Sequence, residues 1–358
     1  MTMGFRVETG LLNPDKDQYA GDGGSMMNLA FIASEAARLE SLGFDSIAVP
    51  EAGHDPFLAL VVAAEHTERV ELATNVAISF PRSPMVTAQM AWDLQQYSDG
   101  RFVLGLGTQV KGHNKFRYAT AWDSPPGPRM REYLECLRAI YNAFAGADGP
   151  TTFEGEHYTF TMLPPFFNPG PIDHALPGLT IAAVNPYMCR LAGELCDGVR
   201  LHPIGTFSYQ QEVVQPLLEK GAERAGRPAD QINRIGAPFV AVGRNDEEIA
   251  SAREALKQAI SFYASTRTYH GILDHHGWQD AGAELHRLSK QGGWKEMPAI
   301  ISDDMLDQWA ITTSWDDFAV NMTERCRGVY DTVLVDFPPQ LSRDEDHVRQ
   351  VVADLKAA

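Results

Sequence analysis

The chain has 358 residues, 44% of them hydrophobic and 22% charged, which is enough apolar material for a full core. Forty-seven acidic against 30 basic residues give a formal net charge of −17, a surface that repels nucleic acid and anionic membranes. Its apolar runs are too short for a membrane span, its opening MTMGFRVETG lacks a signal-peptide layout, and its four scattered cysteines form no C-x-x-C pair, so a cytoplasmic protein with reduced thiols is expected.

After a first strand predicted over 5–9, one scheme repeats: amphipathic helix, short turn, β-branched strand. NLAFIASEAARLESLGFDSIAVP sets Leu29, Ile32, Ala33, Ala36 and Leu39 at helical spacing, with Gly43 as the stop and a strand over 46–49. Asp55 caps the next helix, Pro56 takes its first position, and a strand follows over 70–76. Ser83 and Pro84 open a third helix that leads to a strand over 102–106. The stretch 146–178 then breaks the rhythm, with a hairpin-like TTFEGEHYTF and the proline-rich LPPFFNPGPIDHALP. Strands over 179–184, 198–202 and 234–242 come next. A second irregular stretch over 264–300 precedes the last strand, 332–336.

Eight strands alternating with helices imply parallel pairing with right-handed crossovers, and so a (β/α)8 TIM barrel. The expected organisation is one domain over 1–358, with insertions after the fourth strand (about 146–178) and the seventh (about 264–300). An open doubly wound sheet is the alternative. GRFVLGLGTQVKGH bears on it, because Gly105 and Gly107 resemble the start of a dinucleotide fingerprint. The third glycine is missing, however, with Val110 in its place, and 111–114 reads as loop rather than helix.

In a barrel, function gathers at the carboxyl ends of the strands. Glu51 and His54 end the second strand; a histidine titrating near neutrality can move a proton, and Glu51 could orient it. Thr108 and Gln109 end the fourth, with Lys111, Lys115 and Arg117 as local cations. Asn185-Pro186 starts a helix just after the fifth strand, where free N–H groups attract phosphate. His113 and His202 rank behind His54, and the histidines of HGILDHH are read as solvated or lid residues. No metal site is expected.

GRFVLGLGTQ with RMREYLECLRAIY, and AAVNPYMCRLAGELCDG, resemble the luciferase-like monooxygenase superfamily. EAGHDPFLALVVAAEHTERVELAT with SPMVTAQMAWDLQQYSDGRFVLGLGTQVKGH is closer to its coenzyme F420-dependent oxidoreductases. The resemblance implies hydride transfer between the deazaflavin and a small organic substrate, FMN-dependent monooxygenation being the alternative. It implies a cis peptide at Asn75-Val76 behind the cofactor ring, ring or tail contacts at Thr108 and Gln109, and a phosphate-binding turn at Val184, Asn185 and Tyr187. His54 and Glu51 match catalytic positions with a two-residue spacing difference. The glutamate that sugar-phosphate dehydrogenases of this group carry after the fourth strand is replaced by Val110. A homodimer built on the second and third helices is also implied.

Overall fold

Eight strands close into a parallel barrel: β1 (Arg6–Gly10), β2 (Ser46–Val49), β3 (Glu71–Thr74), β4 (Phe102–Gly107), β5 (Gly178–Ala183), β6 (Gly198–Leu201), β7 (Asn233–Gly236) and β8 (Thr332–Leu334). The computed structural model describes residues 4–11 and 28–358. Each strand pairs with its chain neighbour, β8 returns to β1, and the β3–β4 pairing removes the edge that an open sheet would keep. The doubly wound alternative is thereby excluded.

The outer layer begins with α1 (Leu29–Ser41), α2 (Pro56–Glu65), α3 (Pro84–Tyr97), the short α4 (Lys111–Phe116) and α5 (Pro126–Ala145). It continues with α6 (Pro186–Leu195), α7 (Gln215–Arg224) and α8 (Asp246–Ala264). The local signals behave as their chemistry requires. Asp55 Oδ1 accepts the Phe57 N–H at 2.9 Å and Ser83 Oγ accepts that of Val86 at 3.2 Å, each beside a proline that needs no partner.

Ala48, Ala73 and Leu334 meet inside the barrel, with Val103 packed against them. Alongside this apolar layer lies a buried ion pair. Arg200 grips Glu8 with both guanidinium ends, at 2.7 and 3.1 Å, and its Nε donates to Thr180 Oγ1 at 3.1 Å. Because alternate strand residues share a face, the inward Glu8 and Arg200 place Gly10 and His202 on the inner wall, one step nearer the carboxyl mouth.

Three sequence expectations change. The strand expected over 234–242 breaks at Ala237-Pro238: β7 stays in the barrel, while Phe239–Gly243 leaves it to pair in parallel with Ala310–Ser314. Proline has no N–H to give a central ladder, so the chain turns there. Residues 111–114 belong to helix α4, which opens four residues after Gly107. The strand expected over 70–76 ends at Thr74 and resumes as Ala77–Ile78.

Within 146–178, Phe153–Glu154 and Thr159–Phe160 form an antiparallel hairpin. The stretch 264–300 is mainly helical, with α9 (His270–His275) and α10 (Gln279–Gln291). All four cysteines are buried and unbridged. No described helix is long and apolar enough to cross a membrane.

Candidate functional site

Gly105 and Gly107 of GRFVLGLG are spacers. A Cβ on Gly105 would lie 2.0 Å from the Thr74 carbonyl oxygen and 2.8 Å from Arg200 Nε. One on Gly107 would lie 2.6 Å from Val76 Cγ2 and 3.7 Å from Ala182 Cβ. Close approach, rather than phosphate binding by the loop, is what both positions require. Opposite them, β3 carries one extra residue. Leu72 pairs with Phe102, but Ala77 pairs with Leu106, so the register slips by one across Asn75-Val76, and the peptide between those two residues is cis. This is a bulge of the kind that re-aims a side chain, and it aims Val76 at Gly107.

The second strand's rim is a clamp. Glu51 is only 6% exposed; its Oε2 accepts from Arg82 Nη1 and from the Ile78 N–H, both at 2.7 Å. Tyr118 Oη donates to Oε1 at 3.3 Å, and burial pushes the Tyr118 hydroxyl's pKa up, the Glu51 charge adding to it. Arg82 reaches Asp55 at 2.7 Å with its other nitrogen. Glu51 therefore pairs with Arg82 and not with His54. The His54 side chain is exposed and makes no hydrogen bond, ion pair or ring contact among the described residues.

After β4, Thr108 and Gln109 are half-buried. Gln109 has φ +55°, and its side chain folds back onto the Val110 N–H at 2.8 Å. Fully buried Asn114 ties the turn down by donating to the Thr108 carbonyl at 2.9 Å. Arg117 donates to the Ala52 carbonyl, which commits one of the three suggested cations to the β2 rim.

After β5, the Val184 carbonyl accepts from Tyr209 Oη at 3.3 Å. Asn185 is the N-cap of α6, yet its side chain makes no capping bond, so the first-turn N–H groups keep their capacity to bind an anion. The Tyr187 side chain turns outward: Gly127 leaves room for its ring, and its hydroxyl accepts from Arg131 Nε at 3.5 Å.

Two further groups face the mouth. His202 Nδ1 accepts the Ile204 N–H at 3.1 Å, which leaves the proton of the neutral ring on Nε2. Tyr263 and Tyr269 pack on this ring at centroid distances of 4.8 and 5.1 Å, and burial lowers its pKa to about 4. Asp336, just past β8, accepts the Gly10 N–H at 2.7 Å and the Thr9 hydroxyl at 3.4 Å, both through Oδ1. It is solvent-accessible yet crowded by protein, as befits the wall of a concavity, and this desolvation raises its pKa despite the two donors. Sequence reasoning passed over Asp336 and Arg82. The strand-end rule could have found Asp336, since VLVDFPP puts an acid directly after an apolar run. Nothing in FPRSP announces that Arg82 reaches back to Glu51.

His275 and His276 lie against the segment that follows β6, on Ser208 and Thr206 respectively. His276 Nε2 lies 2.7 Å from Thr206 Oγ1, and its ring stacks on Trp278 at 4.2 Å. Among the described residues, one trio has metal-ligand spacing, Glu132, Glu156 and His157, and it lies where the 153–160 hairpin meets α5.

The closed parallel sheet, with its bulged third strand, glycine-spaced fourth strand and uncapped helix after the fifth, is a (β/α)8 barrel. The chain belongs to the luciferase-like monooxygenase family, whose sequence model matches residues 8–332. It is 44% identical over 336 residues to an uncharacterised protein of Mycobacterium tuberculosis strain H37Rv, covering 94% of this chain and 97% of that one. It is 30% identical over 223 residues to an F420-dependent glucose-6-phosphate dehydrogenase of Intrasporangium calvum, covering 57% and 63%. Among solved structures, the coenzyme F420-dependent tetrahydromethanopterin reductase of Methanopyrus kandleri superposes with a TM-score of 0.73 at 19% identity, over 98% of both chains. The FMN-bound oxygenating component of 3,6-diketocamphane monooxygenase from Pseudomonas putida gives 0.65 at 17% identity, over 98% of both.

Proposed function

We propose that this chain is a coenzyme F420-dependent oxidoreductase that transfers a hydride between the deazaflavin and a small organic substrate. The observation that carries this reading is the close stack of Val76, Gly107 and Ala182, where the bulged third strand brings an apolar side chain against a glycine with no Cβ to block it. The residues fit the group. Asn75 and Val76 would back the ring, Thr108 and Gln109 would border it, and the uncapped start of α6 at Val184 and Asn185 would take the phosphate. Tyr187, turned outward, would flank the chain beyond it. The bound deazaflavin supplies two-electron chemistry at its ring carbon.

The protein's part is to position reactants and manage protons. His202, neutral at physiological pH with its proton on Nε2, donates a hydrogen bond to a substrate oxygen without itself titrating. The unencumbered His54 and the accessible Asp336 are the groups that move a proton at the mouth. Glu51, held by Arg82, is a positioning residue that ties the second strand's rim to the third. With Val110 where a glutamate would stand, sugar-phosphate oxidation is not the proposed reaction, although a relative at 30% identity carries that name. A second copy is proposed to cover the exposed Leu58, Val61, Val86 and Tyr97 of α2 and α3.

Parallel fluorescence titration of the purified protein with coenzyme F420 and with FMN tests the cofactor. Tighter binding of the deazaflavin is expected; preferential FMN binding, or none of either, overturns the reading. Light scattering on wild type and Val61→Asp tests the dimer, a monomeric wild type refuting it.

A further inference from the structure

Outside the mouth, the clearest charged feature is a cleft of about 270 Å³ between α5, α6 and α7, lined by Arg131, Tyr187, Arg190, Glu194, Lys220 and Arg224. Glycines bring the last two helices together. A Cβ on Gly193 would lie 2.1 Å from the Leu218 carbonyl oxygen, and one on Gly221 would lie 2.1 Å from that of Arg190. With the backbones in contact, the long side chains at 190, 220 and 224 stand out around a shared hollow.

The hollow holds four cations and one carboxylate, in a chain whose acids outnumber its bases 47 to 30. Glu194 is already taken: Arg131 binds both of its oxygens, at 2.9 and 2.6 Å, and Arg224 lies 3.6 Å away. Arg190 and Lys220 are exposed and have no ionic or hydrogen-bonding partner among the described residues. Like charges gathered this way repel one another unless an anion joins them.

Position adds direction. Tyr187 lies in the first turn of α6 and forms one end of the cleft, its hydroxyl on Arg131. Residues 187, 190, 191 and 194 lie on one face of that helix and span about 10 Å. A chain of anionic groups leaving the uncapped start of α6 along this face would run onto Arg190, with Lys220 and Arg224 across the hollow.

We propose that this cleft binds a flexible oligocarboxylate, the glutamyl tail that distinguishes the deazaflavin coenzyme from FMN. The assignment rests on the cofactor reading above. Such a tail places carboxylates beside cations that the protein leaves unpaired, and FMN, which stops at its phosphate, cannot use them.

The test titrates three probes at low and high salt: the deazaflavin riboside without phosphate, the coenzyme without glutamates, and the coenzyme with several glutamates. Wild type is compared with Arg190→Ala/Lys220→Ala, both exposed positions whose truncation spares the core. Added glutamates should tighten wild-type binding about fivefold to thirtyfold at low salt, as two partly exposed ion pairs would. High salt should erase most of this gain. The double variant should bind the riboside like wild type and lose the glutamate gain. Equal affinity of wild type for the coenzyme with and without glutamates, or a variant that keeps the gain, overturns the tail site. If no deazaflavin binds, even the riboside, the cofactor reading itself falls. Free γ-pentaglutamate then decides the cleft: salt-sensitive binding by wild type and not by the variant keeps an oligocarboxylate site, and no binding removes it.

Discussion

Arg200→Met is a direct test of how the barrel interior is held together. The Glu8 and Arg200 side chains are 1% and 4% exposed, and the guanidinium contacts both carboxylate oxygens. Methionine fills much of the same space but leaves the Glu8 carboxylate with Ser46 Oγ, at 3.0 Å, as its remaining side-chain partner. Stranding a buried charge in this way costs about 3–5 kcal/mol. Unfolding entropy scales with length, so for 358 residues this corresponds to a Tm lowered by about 4–7 °C. Glu8→Leu/Arg200→Met removes both charges together and should recover most of the loss, because desolvating the pair offsets much of its attraction. Urea denaturation and calorimetry of the wild type, both single variants and the double variant complete the cycle. A loss under about 1 kcal/mol for Arg200→Met, or a double variant as unstable as the two singles summed, would refute the reasoning.

Gly107→Ala drives a Cβ against Val76 Cγ2, so it should cost about 1–3 kcal/mol and weaken deazaflavin binding, read by thermal denaturation and fluorescence titration. His202, with its pKa lowered by burial to about 4, takes up its proton later than the unfolded chain does as pH falls. Wild-type stability should therefore decline from about pH 6.5 toward pH 4 more steeply than that of His202→Asn, in urea titrations across that range. Asp336 shows the opposite linkage. Its raised pKa makes the folded state keep a proton that the unfolded chain releases, so its cost appears as pH rises above the ordinary aspartate range. Asp336→Asn should match wild type near pH 3 and exceed it in stability at neutral pH; equal stability at both would show the carboxyl to be well solvated.

Much of the barrel was legible one segment at a time. Caps such as Asp55 and Ser83, prolines at first helical positions and β-branched runs act within a few residues, and their spacing alone predicts eight strand–helix units. The glycines at 105 and 107 were equally visible, but their reason was not: Arg200 and Val76, which need the room, come from other strands. The break of the seventh strand at Pro238 had a local cause, whereas the partner that Phe239–Gly243 joins lies some seventy residues onward. The site shows the same division. His54 and Glu51 stand out as residue types at a strand end, and only the assembled barrel gives Glu51 to Arg82 and leaves His54 open to solvent. Asp336 meets Gly10 across 326 positions of sequence. Local propensity decides where elements begin and end. Which side chains share the mouth depends on barrel closure, because its ring of strands sets residues from opposite ends of the chain at hydrogen-bonding distance.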